Sequence, residues 1–222
     1  MQFLITVANS SHYQFAEAIC TMMANAAKVR GTGIAKRTPD YIQQKMEEGK
    51  AIIAITDDIV VGFCYIESWE GRKYVANSGL IVHPDYRKTG LAKRIKKATF
   101  DLSKKKFPNA KLFGITTSLS VMKINSDLGY KPVTFSELTK DENFWKGCMS
   151  CTNYDILQRT DRSMCICTGM ICDLSNVPEK NVAKNERKMW GKFTRFVALQ
   201  KIKIKKKAKL YPKLNKIINN EK

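Results

Sequence analysis

Apolar and polar residues alternate from Met1 to Val7, a period of two that predicts a strand with one buried face. The period then lengthens. From His12 to Val29, Phe15, Ile19, Met22, Met23 and Ala26 recur at helical spacing, with Ser10 or Ser11 available as N-cap. Thr38 and Pro39 read as the N-cap and first position of a second helix running to Lys50, because proline's fixed φ suits that position and its missing N–H costs nothing there. Three β runs follow, Ala51 to Thr56, Ile59 to Trp69 and Tyr74 to His83, joined by turns at Asp57-Asp58 and Glu70-Gly71, which predicts an antiparallel meander. Leu91, Ile95, Ala98 and Leu102 then mark one stripe of a helix from Leu91 to Lys106. A strand over Lys111 to Thr117, a helix over Leu119 to Leu128 and a strand over Lys131 to Phe135 complete the order β-α-α-β-β-β-α-β-α-β.

A chain of 222 residues with 44% apolar composition can bury one core and carry an appendage. Charge places the boundary. From Lys180 onward, 13 Lys and two Arg oppose Glu186 and Glu221, a net +13 out of +19 for the whole chain. The composition shifts across Ser175 to Glu179, where Pro178 lies, so residues 1–175 are expected to form the domain and residues 176–222 a basic, partly helical tail. In that tail Trp190, Phe193, Phe196, Val197 and Leu199 precede a Lys-rich run. Two readings stand: an aromatic edge docked on protein, or phosphate contact with nucleic acid, the former being preferred. No apolar run approaches the roughly 18 to 20 residues that span a bilayer, and Met1 to Val7 lacks the features of a secretory signal, so a cytoplasmic protein is expected. In a reducing compartment the seven cysteines then read as thiols or metal ligands. Cys148 and Cys151 form a CxxC and Cys165 and Cys167 a CxC, within a Cys-rich segment over 148–172. Four thiolates can hold structural zinc, and four small apolar side chains can equally pack in a core.

Two octapeptides stand out, RGTGIAKR at 30–37 and RKTGLAKR at 87–94. The second follows an apolar strand and opens a helix, whose unpaired N–H groups and dipole favour phosphate. Arg87, Lys88, Thr89, Gly90, Leu91 and Ala92 are therefore candidate phosphate-binding residues, with Gly90 allowing close approach and Lys93 and Arg94 adding charge. The first octapeptide follows a helix, and Pro39 disfavours continuing it through Thr38.

In this setting the run LIVHPDYRKTGLAKRI resembles the acyl-CoA-binding segment of the GNAT superfamily of N-acyltransferases, and VMKINSDLGYKPV is similar to that family's second signature. The resemblance implies an α+β fold with a mixed, mostly antiparallel sheet, helices on both faces and a splayed pair of parallel strands at the acyl-CoA site. It further implies acetyl-CoA, or another short acyl-CoA, as co-substrate, with pantetheine pairing to backbone at Leu80, Ile81 and Val82. A tyrosine is usual four residues before the Gly of the second signature; counting back from Gly129 gives Asn125, which can hydrogen-bond sulfur or pantetheine but cannot supply a proton as a phenol does. Tyr130 and Tyr154 are candidate substitutes. The usual strand glutamate is replaced by Ala76, Asn77 and Ser78, leaving Glu67 to act as base through water or to be a solvated carboxylate. The loop at 30–37 is expected to face the acceptor, with Arg30, Lys36 and Arg37 gripping a carboxylate. The expected reaction is acyl transfer to a primary amine, the α-amine of an acidic amino acid such as glutamate, and the chain also looks similar to small bacterial members associated with arginine biosynthesis. The alternatives are a peptide or protein N-acetyltransferase, and a non-catalytic CoA-binding module whose tail targets nucleic acid.

Overall fold

Strands β1 (Leu4–Val7), β2 (Ala51–Thr56), β3 (Ile59–Trp69) and β4 (Tyr74–Val82) form the antiparallel meander that their patterning predicts. The computed structural model describes residues 2–30 and 36–177, within a compact unit spanning Met1–Val177. The basic tail, and Gly31 to Ala35 of the first octapeptide, lie outside the described residues.

Helices α1 (Ala16–Arg30) and α2 (Pro39–Glu47) cover one face of the meander, burying Ile19, Met23, Ile42 and Met46 against Ile53, Phe63 and Ile81. Helix α3 (Leu91–Lys106) covers the other, setting Leu91 and Ile95 on Ile52, Val61 and Val82. A sheet covered on both faces accounts for the nearly continuous apolar runs of β2 and β3. Helix α2 begins as its sequence predicts: Pro39 is its first residue, and the Thr38 hydroxyl accepts from the Tyr41 amide. The first helix does not. A 3-10 segment, Ser10–Phe15, precedes α1, and its cap is Asn9, which accepts from the Ser11 amide, rather than Ser10 or Ser11.

The sheet has seven strands in the order β1-β2-β3-β4-β5-β7-β6. After β5 (Lys111–Thr116), α4 (Leu119–Asp127) and β6 (Lys131–Val133), the chain forms two short helices, α5 (Glu142–Lys146) and α6 (Tyr154–Arg159). It then returns as β7 (Thr168–Asp173), inserted antiparallel between β5 and β6. The Cys-rich segment thus supplies a central strand that the sequence pattern did not reveal. TGMICD is a short run with no regular alternation, and its partners are distant in sequence.

Two departures from regular pairing create the site. Gly79, at φ 64°, opposes an irregularity in β3 between Phe63 and Tyr65. A Cβ there would lie 2.4 Å from a Tyr65 ring carbon, so both the conformation and the space require glycine. In addition, β4 and β5 are parallel partners only through Tyr74 with Lys111, Val75 with Leu112 and Ala76 with Phe113. Beyond those pairs the strands separate, as the splayed pair was expected to do.

Candidate active site

A cleft of about 570 Å³ opens where β4 and β5 part, with Ser78, Gly79 and Leu80 on one wall and Gly114, Ile115 and Thr116 on the other. Backbone groups on these facing edges have no strand partner across the gap, which suits an extended amide-bearing ligand. Leu80 lines the gap, whereas Ile81 and Val82 turn their side chains into the cores on the two sheet faces.

Beyond β4 the chain makes a 3-10 turn, Pro84–Tyr86, and enters α3 through a tightly bonded loop. Arg87 Nε donates to the Val82 carbonyl at 3.3 Å, and the Thr89 hydroxyl donates to the Tyr86 carbonyl at 2.7 Å. Lys88 and Gly90 adopt φ of 64° and 80°, turning the chain so that α3 starts with no side chain capping it. A Cβ at Gly90 would meet nothing within 4 Å, so the space above the open amides of Leu91 and Ala92 is clear. This cradle fits a pyrophosphate. Two of the expected cations serve the fold as well: Lys93 pairs with Asp127 of α4 at 2.6 Å, and Arg94 donates to the Phe3 carbonyl at 3.4 Å.

Asn125 of α4 is 2% exposed and lines the cleft. Its Nδ2 makes only a long contact to Met170 Sδ at 3.7 Å, and its Oδ1 is buried with no hydrogen-bond partner. An orphaned acceptor at the strand split is what an amide-bearing ligand would satisfy. Tyr130 is buried behind the cleft-lining residues Asn77 and Lys96 and does not itself line the cleft. Its hydroxyl donates to Asn77 Oδ1 at 3.3 Å, Asn77 Nδ2 donates to Ser103 Oγ at 2.7 Å, and burial lifts the phenol well above its ordinary range. That placement removes Tyr130 as a candidate acid, whereas Tyr154 lines the cleft.

At the other end of the cleft the structure joins two residues to which the sequence assigns separate tasks. Arg37 reaches Glu67 Oε2 at 3.5 Å, donates from Nε to the Tyr65 hydroxyl at 2.9 Å, and lies 4.7 Å over the Tyr41 ring. Tyr41 donates to the other Glu67 oxygen. Burial opposes the Arg37 charge, but Tyr65 and Glu67 outweigh it and raise its pKa further. Burial likewise lifts Tyr41 and Tyr65, with Glu67 adding to both. Glu67 is therefore a mostly covered carboxylate, held in one orientation between Arg37 and Tyr41. Lys36 is exposed, and Arg30 ends α1 with its side chain outside the described residues.

Cys148, Cys151, Cys165 and Cys167 all line the cleft, and the structure does gather them. Burial, then Cys151 and Cys165, pushes the Cys148 thiol up to about 11; burial, then Cys165 and Cys148, pushes Cys167 up to about 12. Yet no group of three or more His, Cys, Asp or Glu among the described residues is disposed to hold a metal. The expected zinc site is not assembled. The segment's buried anchors are Trp145 and Leu157, and Cys148, Cys165 and Cys167 pack against them as partly buried residues at the cleft wall.

Sequence reasoning missed Lys96. The expected stripe on α3 ran through Ala98 and Leu102, but the fully covered face is Leu91, Ile95, Lys96, Thr99, Phe100 and Ser103. Thr99 and Ser103 enter the core by donating to the carbonyls of Ile95 and Thr99, so three polar residues disguised the inward face. The signal available was spacing: Lys96 lies four residues before Phe100.

Residues 20–118 match the model of the acetyltransferase (GNAT) family. No curated protein sequence matches the chain. Among solved structures, N-acetylglutamate synthase from Neisseria gonorrhoeae, complexed with coenzyme A and N-acetyl-glutamate, aligns at TM-score 0.57 and 14% identity, over 78% of this chain and 35% of that one. This chain thus spans about a third of that enzyme's length. Rv2747 from Mycobacterium tuberculosis, in complex with CoA, aligns at 0.55 and 13% over 77% of this chain and 98% of its own. An N-acetyltransferase from Staphylococcus aureus Mu50 aligns at 0.53 and 14% over 78% and 99%. At such identities the structural likeness speaks for the fold alone. Residues 20–118 thus match the acetyltransferase (GNAT) family by sequence, and the described residues share the fold of these solved acetyltransferase structures.

Proposed function

We propose that this domain transfers an acetyl or other short acyl group from acyl-CoA to a primary amine that carries a carboxylate, the α-amine of an acidic amino acid such as glutamate being the leading case. The observation that carries the reading is the parting of β4 from β5 beside an uncapped α3, with the side-chain oxygen Oδ1 of cleft-lining Asn125 left without a partner. Acyl-CoA would bring a thioester carbonyl to this gap. The amides of Leu91 and Ala92 would hold its pyrophosphate, and the free edge of Leu80 to Val82 would hold its pantetheine. Glu67 takes the proton released by the attacking amine, directly or through a water, and Arg37 and Tyr41 keep its carboxylate aimed into the cleft.

The acceptor class rests on charge. Arg37, Lys96 and Lys146 line the cleft against Glu67 alone among carboxylates, and an arginine that keeps unused donors can also grip a ligand carboxylate. The gonococcal synthase, crystallised with N-acetyl-glutamate, lends support from a distance. The test is to incubate the protein with acetyl-CoA and single amines (glutamate, aspartate, neutral amino acids and a short peptide), following free thiol and product mass. Thiol release that requires an acidic amino acid is expected. Release with the peptide alone would move the acceptor to peptide or protein amines, and release with no amine tested would favour the non-catalytic reading.

A further inference from the structure

Lys96 is 2% exposed, yet its side chain lines the cleft. Among the described residues its ammonium has no ion pair and no hydrogen bond. The groups facing it are the Tyr130 ring, 5.2 Å away, and the Cys64 thiol of β3. Neither is an anion at neutral pH, since burial raises the pKa of both. A contact with an aromatic face recovers only part of the desolvation of a buried cation. Packing does not call for the charge either, because Leu91, Ile95 and Phe100 on the same face are apolar. The one open direction is the cleft, at the split where the Asn125 oxygen is also without a partner.

We propose that Lys96 is the acid that protonates the thiolate leaving the acyl donor, the task for which Asn125 has no proton to give. This rests on the reading of the domain as an acyl-CoA-dependent transferase. In the step, the acceptor nitrogen forms a bond to the thioester carbonyl carbon and the carbon–sulfur bond breaks with its electron pair on sulfur. The Lys96 ammonium gives one proton to that sulfur and becomes a neutral amine, which regains a proton from solvent, while the proton of the attacking amine goes to Glu67. Burial, only partly offset by Cys64, lowers the Lys96 pKa to about 8. That lies close to the ordinary thiol value of about 8.5, so the transfer runs between groups of matched acidity. A buried lysine is well suited to such a shift.

The proposal predicts that one proton is shared between Lys96 and the bound thiol. Calorimetry of the wild-type protein at pH 7.5, with CoA and with desulfo-CoA in buffers of different ionisation enthalpy, reads this without turnover. CoA is expected to bind several-fold more tightly than desulfo-CoA and to release about half a proton or more per site, because free thiol and free Lys96 are both mostly protonated at that pH. Lys96→Met should bind both ligands alike, release none, and lose about 100-fold in kcat. In the wild type kcat should fall above about pH 8 as Lys96 loses its proton, and the variant should lack that limb. Equal binding of the two ligands to wild type with no proton released would overturn the assignment and leave the transferase reading intact. Failure of both ligands to bind would overturn the transferase reading, and this proposal with it.

Discussion

Buried Lys96 should weaken the fold in return for its place at the cleft. A lysine whose pKa falls from 10.5 to about 8 on folding is disfavoured while charged. At about 1.4 kcal/mol per pKa unit, the penalty is on the order of 3 kcal/mol. The sign follows from proton counts. Below about pH 8 both states hold the proton and the penalty is present in full; between about 8 and 10.5 the unfolded chain binds more protons than the native one, so stability rises with pH and the penalty disappears. Lys96→Met, which keeps the volume and removes the charge, is therefore expected to be more stable than wild type at pH 7 by about 1–3 kcal/mol. The gain should shrink as pH rises through that window. Urea unfolding of both proteins at pH 7 and pH 9.5 checks it; a gain that does not change with pH would mean that folding does not lower the Lys96 pKa and that the gain comes from packing.

At the scale of elements, α2 is fastened over the cleft by side chains from outside its own hydrophobic face. Ile42 and Met46 bury its core side, while Tyr41 bonds to Glu67 of β3, and Arg37, just before the helix, bonds to Tyr65 and Glu67. Arg37→Ala removes the guanidinium from both partners and uncovers the Tyr41 ring. Hydrogen bonds of partly buried charged groups contribute about 1–3 kcal/mol, and side chains 21% and 17% exposed keep enough contact with water to place this loss near the lower end. The acceptor KM should rise about tenfold or more with CoA affinity nearly unchanged, since α3 and its loop are not touched. Steady-state kinetics in each substrate, together with CoA calorimetry, separate the two effects. A defect confined to acyl-CoA would mean that this end of the cleft is not the acceptor end.

Across the whole molecule, β7 ties the edge strand β6 to the rest of the sheet. It pairs with β5 from Lys111 to Thr116 and with β6 from Lys131 to Val133, and it brings Met170, Cys172 and, just beyond, Leu174 into the core with Leu112 and Tyr130. Gly169 fits this place closely, as a Cβ would lie 3.0 Å from the Val133 carbonyl oxygen. A chain ended before Thr168 would leave the ladder edges of β5 and β6 unpaired and strip one side of that core. Such a chain is expected to show no cooperative thermal transition by circular dichroism, whereas a melt like that of the intact protein would show that β7 is dispensable.

Much of this architecture was legible without coordinates. The meander, α2 with its Thr38-Pro39 start, and the strand–loop–helix unit that ends at Gly90 each follow from local rules: alternation, capping, and a glycine where φ must be positive. The open start of α3 could be read because helix start and glycine are adjacent in sequence. What only the tertiary structure decided depends on groups far apart along the chain. Asn125 lines the cleft, and whether its side-chain oxygen found a partner was a matter of packing. The pairing of Arg37 with Glu67 joins residues 30 positions apart, and β7 lies between strands that precede it by about 40 to 60 residues. The cysteines illustrate the limit plainly: their spacing allows ligands or packing residues, and only the fold shows that all four line the cleft. Lys96 was hidden because a lysine on a helix is solvated by default, and only the three-dimensional covering of that one face withdraws it from water.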